Sequence, residues 1–136
     1  MSENVVPLVH HKPSRAVLRE SFVDINDRIV LLAENLRSDI SDNDNRFFAR
    51  CDELRSQLNE LGDILKDYAQ LKLISNLVDQ VESVRILTMM VSHLELMFLY
   101  ARKNPISARF YQKEIDLTVR EFLSRQARLR KDIAWS

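Results

Sequence analysis

Apolar residues recur along most of this chain at alternating steps of four and three. Leu18, Phe22, Ile25, Ile29, Leu32 and Leu36 form the first such row. A mean step of about 3.5 residues is the repeat of helices that pack side by side. The row predicts a helix over 15–39, opened by Ser14, whose hydroxyl can accept a free backbone N–H. Asp24 and Arg28 fall four apart on its polar side, acid first, the favourable order. The polar run 38–45, Ser-Asp-Ile-Ser-Asp-Asn-Asp-Asn, interrupts the row. Such side chains compete for backbone hydrogen bonds and favour turns and caps. A loop is expected there, with a new helix starting near Asp42 to Asp44. The rival is one bent helix, since the interval from Leu36 to Phe47 keeps helical phase.

Phe47, Cys51, Leu54, Leu58, Leu61, Leu65 and Tyr68 make the most regular row, on a helix expected over 44–72. Gly62 lies inside it and costs up to about 1 kcal/mol relative to alanine. It marks either a close helix contact or a slight bend. Punctuation is weak after Tyr68. A helix running on from 44 to 103 would be about 90 Å long at about 1.5 Å per residue. A compact bundle cannot hold that length, so a break is expected, with Ser75 or Asn76 as the cap. The third helix, 76–103, uses Leu77, Val81, Val84, Leu87, Val91, Leu94 and Phe98. It is also apolar on other faces, through Ile86, Met89, Met90, Leu96, Met97 and Leu99. A helix apolar all round is covered on several sides. Asn104-Pro105 ends it, because proline stops one helix and suits the first position of the next, with Asn104 as its cap. The fourth helix, 105–134, carries Tyr111, Ile115, Val119, Phe122, Leu129 and Ile133, with polar Gln126 in register. Asp116 with Arg120, and Glu121 with Arg125, repeat the acid-first pairing.

Composition narrows the class. The chain has 136 residues, one glycine and three prolines, Pro7, Pro13 and Pro105. An all-β fold needs turn residues far more often than that. The fold expected is all-α: an up-and-down four-helix bundle, or an antiparallel helical coiled-coil assembly, in one domain over 14–136. The rival is two or three longer helices in an elongated dimer. Residues 1–13 lack periodicity and read as a flexible tail. With one cysteine, Cys51, no internal disulfide can form, which suits a reducing compartment. The N-terminus lacks a charged start followed by an apolar run, so a cytoplasmic location is expected. Arg85, His93 and Glu95 interrupt the apolar stretch 84–101, which reads as a core helix rather than a membrane span.

Lys plus Arg and Asp plus Glu balance at 20 each, so no net field draws nucleic acid or anionic membrane. The balance is uneven locally. Residues 39–67 hold eight acids against four bases, and residues 101–136 nine bases against four acids.

Candidate chemistry is sparse. His10 and His11 sit in the tail, and His93 and Cys51 stand at no metal-ligand spacing from them. His93 and Glu95 are two apart, hence on different helix faces, and His93 reads as a core or interface residue. Cys51 falls on an apolar row and reads as a small core residue. A chain with one glycine cannot build a glycine-rich phosphate loop. No catalytic residue, cofactor or metal is expected.

Two features point outward. Met89, Met90 and Met97, beside Phe98 and Tyr100, can line an adaptable groove for a partner helix. Arg120, Arg125, Arg128, Arg130 and Lys131 put a basic stripe on the last helix. That stripe can contact phosphates, or meet an acidic partner such as the second helix. The expectation is a non-enzymatic adaptor, chaperone or scaffold subunit that self-associates through apolar helix faces. The alternative is a nucleic-acid-binding accessory protein using the basic helix.

Overall fold

A computed structural model of the chain describes residues 14–40, 45–71 and 77–132. Four helices make up nearly all of it: α1 (Arg15–Asp39), α2 (Arg46–Gln70), α3 (Leu77–Lys103) and α4 (Ala108–Asp132). A single 3-10 turn, Pro105–Ser107, leads into α4. The expected tail, the His10-His11 pair, the loop residues 41–44, the cap at Ser75 or Asn76, and Ile133 lie outside the described residues.

Ser14 opens α1 as its pattern predicts, its hydroxyl accepting the Val17 amide at 3.2 Å. The last helix differs from expectation. Asn104 makes no side-chain cap, and Ser107 donates its amide to the Asn104 carbonyl at 3.0 Å. Three residues headed by proline therefore form a tighter turn before regular α-helix begins. The Asn104-Pro105 boundary itself holds.

Side-chain pairs fix the direction of each helix. Phe22 meets Tyr68 edge-to-face at 5.8 Å, while Asp39 accepts from Arg50 at the other end of α1. Those two pairs make α1 and α2 antiparallel. Phe47 stacks on Phe98 at 4.1 Å, and Arg55 donates to Glu95, so α3 runs back along α2. Tyr100 and Tyr111 meet at 5.8 Å across the α3–α4 turn. Asn26 with Gln126, and Arg37 with Asp116, then close α4 onto α1. Each helix packs closely on its two neighbours around a ring, and among the described residues the backbones of the diagonal pairs stay apart. This is an up-and-down four-helix bundle. Long continuous helices in place of the two breaks are excluded, because the chain reverses at each.

All four helices feed one apolar core. Every residue of the α2 row is buried, joined by Ile64. The α1 row is corrected in one place: Leu32 is half-buried, while Asn26 and Ala33 are fully buried. A helix inside a bundle covers a band wider than a two-position seam. On α1 that band includes the side facing α4, where Asn26 and Ala33 lie. Gly62 is not a close-contact site. A Cβ built there would meet nothing within 4 Å.

Candidate interaction surface

Helical phase places Val78, Met89, Leu96 and Tyr100 on one face of α3, and all four are exposed. The opposite face, Val84, Leu87, Val91, Leu94, Met97 and Phe98, is buried. The all-round apolarity of α3 thus resolves into two rows, one inside the bundle and one outside. Ile106 in the turn, and Phe110 and Leu117 on α4, are exposed as well. Of the nine large hydrophobic side chains exposed among the described residues, seven lie on this α3–α4 hairpin, two on α1 and none on α2. The hairpin is therefore a distinct surface and not an average sample of the exterior.

The five residues expected to face a partner divide accordingly. Met97 and Phe98 belong to the core, with Phe98 packed against both Phe47 and Phe48. Their side chains are closed to a partner, which corrects that part of the expectation. Met90 is half-buried against the core. Met89 and Tyr100 are on the outer row, Met89 with 57% of its surface exposed. Leu96 enters the sequence reading only as part of the general apolarity of α3, and Phe110 and Leu117 not at all. Their signal was present only in phase: Leu96 follows Met89 by seven, and Leu117 follows Phe110 by seven.

Polar groups on the flanks are mostly paired. On α3, Glu82 holds Arg85 at 2.5 Å, and Arg85 also donates to the Met89 sulfur at 3.1 Å. The Arg85 hydrogen bond holds the Glu82 carboxyl below its usual range and raises Arg85 in turn. His93 is exposed on the outer row, so it is not a core residue. Arg102 lies over the Phe98 ring at 5.8 Å.

The basic stripe is largely matched by carboxylates. Arg120 sits 3.0 Å from Asp116, Arg125 2.9 Å and Arg128 3.8 Å from Glu121, and Arg130 3.5 Å from Asp27 of α1. Lys131 is exposed beside them. The expected meeting of this stripe with acidic α2 does not occur within the chain, because α2 and α4 are diagonal in the ring. Arg125 and Arg128 also border a cleft of about 160 Å³ with Ser83 and Leu129. The Glu121 carboxylate already occupies their charge.

Cys51 is fully buried on α2. Loss of water pushes its thiol up to about 12, and the nearby Glu95 carboxylate adds to this, against Arg55. A thiol so held is a packing group and not a nucleophile at neutral pH. Among the described residues, no group of three His, Cys, Asp or Glu side chains converges as a metal site would need.

Helix α3 is long and apolar enough, by length and composition alone, to cross a membrane, with mean hydropathy 1.4 in its most apolar window. That apolarity is the sum of its two rows. Comparison with known protein families, with characterised proteins and with solved structures finds no match.

Proposed function

We propose that this chain is a non-enzymatic helical interaction module, a scaffold or adaptor subunit that self-associates through the outer face of the α3–α4 hairpin. One observation carries the reading: seven of the nine exposed large hydrophobics among the described residues gather on that hairpin, against two on α1 and none on α2. Exposed apolar side chains concentrated on one part of a surface are the mark of an association site. Four helices of one chain fill the core with α3's inner row and leave its outer row uncovered. A second copy covers it.

The test is a mass measurement by light scattering or sedimentation at tens of micromolar, roughly where an interface of useful affinity is saturated. The reading expects a dimer, and expects Leu96→Glu to be a monomer with unchanged helicity. A monomer for the unaltered chain at every concentration would remove the reading.

A further inference from the structure

We infer that the second copy packs antiparallel on the first, α3 against α3, about a two-fold axis that passes between Ser92 and His93. The inference rests on the self-association reading above and gives it a register.

Past Val78 at its N-terminal end, the exposed row of α3 runs through Glu82, Arg85, Met89, Ser92 and His93, Leu96, Tyr100 and Lys103, and every one of these is exposed. Apart from the adjacent Ser92 and His93 at its middle, the steps between them are of three and four, so they form one stripe. The stripe is self-complementary about its midpoint. Met89 and Leu96 are equidistant from the Ser92–His93 bond, as are Arg85 and Tyr100, and as are Glu82 and Lys103. A two-fold interface requires this relation: if residue i meets residue j, then j meets i. Antiparallel packing therefore sets Met89 on Leu96 of the partner subunit, which is apolar on apolar. It brings Arg85 to the face of Tyr100 of the partner subunit, a cation over an aromatic ring. It brings Glu82 to Lys103 of the partner subunit at each end, opposite charges at the rim. Parallel packing would set Glu82, Arg85 and Lys103 each against its own copy. Like charges placed opposite one another select against that arrangement.

The available area suits a weak dimer and draws on α4 as well as α3. The stripe from Glu82 to Lys103 is about 32 Å long, and one helix about 11 Å wide, so α3 alone offers about 350 Å². Adding the α4 row from Phe110 to Leu117, about 11 Å long, brings this to about 470 Å² per copy, the size of a weak, reversible interface. The same two-fold axis lays α4 beside α4 of the second copy.

Disulfide trapping in the full-length chain tests the register, with sedimentation of each variant alongside. His93→Cys lies next to the axis and should cross-link to itself under mild oxidation. Glu82→Cys alone should not, because its two copies stand near opposite ends of the interface. An equimolar mixture of Glu82→Cys and Lys103→Cys should give the mixed disulfide. Native Cys51 is buried and stays reduced in all of them. In a separate pair, Glu82→Lys should weaken dimerisation on the order of tenfold, and adding Lys103→Glu should restore it. Circular dichroism confirms that each variant is folded.

A dimer in which Glu82→Cys cross-links to itself overturns the antiparallel register and leaves self-association standing. A monomer throughout overturns both. So does a monomer that sediments with phosphatidylcholine–phosphatidylserine vesicles and loses this binding on Phe110→Glu, since the outer face would then serve a lipid surface.

Discussion

Gln126 of α4 donates its side-chain amide to Asn26 of α1, a residue 100 positions earlier in the chain. Asn26 in turn donates to the Phe22 carbonyl at 2.8 Å, one turn back on its own helix. Both side chains are buried in an otherwise apolar core. A buried amide without its partner carries a desolvation cost, so this pair fixes which turn of α4 lies against which turn of α1. The arrangement is the bundle's counterpart of the single buried polar position that sets register in coiled coils.

Gln126→Leu should therefore destabilise the chain by about 1–3 kcal/mol, because the Asn26 side-chain oxygen is left unpaired. Asn26→Leu together with Gln126→Leu should recover most of that loss. Urea denaturation of the two singles and the double gives the coupling directly. Simple additivity of the two losses would refute the pairing.

Gly62→Ala should stabilise the chain by up to about 1 kcal/mol. The position is inside α2, and an added Cβ meets open space. A lowered denaturation midpoint would show that a close approach exists there after all.

Core and surface leucines should answer differently to the same change. Leu58 is fully buried in α2, so Leu58→Asp puts an unpaired charge in the core and should unfold the chain or dissociate it. Leu58→Ala should cost about 2–5 kcal/mol through lost burial and a cavity. Leu96→Asp lies on the outer row and should leave monomer helicity intact. Retained helicity, melting temperature and oligomer size in Leu58→Asp would sink the assignment of that row to the core.

Cys51 predicts a weakening in alkali. Its folded thiol lies near 12, above the ordinary value of 9.0. Below pH 9 both folded and unfolded chains keep the proton, and the contribution is complete. From pH 9 upward the unfolded chain loses it first, so stability falls as pH rises toward 12. Burial raises the Tyr68 phenol as well, and its effect has the same sign. Urea midpoints measured from pH 8 to 11 should decline, and more gently in Cys51→Ala. The native thiol should also react slowly with a disulfide reagent at pH 8 and quickly once unfolded.

The pattern of the sequence is enough to find the helices and their order, because α2 and α4 are one-sided. Every residue of the α2 row is in the core, and so are Ile115, Val119, Phe122 and Leu129 of α4. Asn26 was not legible: a polar residue beside Ile25 looks like the wet edge of a seam, and only the approach of α4 buries it. Met97 and Phe98 could not be separated from Met89 for a related reason. Every side of α3 is apolar, so no period distinguishes its inner from its outer face. The order of helices around the ring makes that distinction. It also fixes the fate of the arginines on α4, since α4 lies beside α1 and α3 rather than beside acidic α2. The outer stripe of α3 was present in the sequence as spacing, yet only the observed exposure of its eight members separates it from the buried row one step round the helix.

Sedimentation equilibrium of the unaltered chain and of Leu96→Glu, compared at tens of micromolar, tests the central claim most directly. The account predicts a dimer for the first, and for the second a monomer with the same helicity and monomer fold. A monomeric unaltered chain, or a Leu96→Glu variant that remains a dimer, would contradict it.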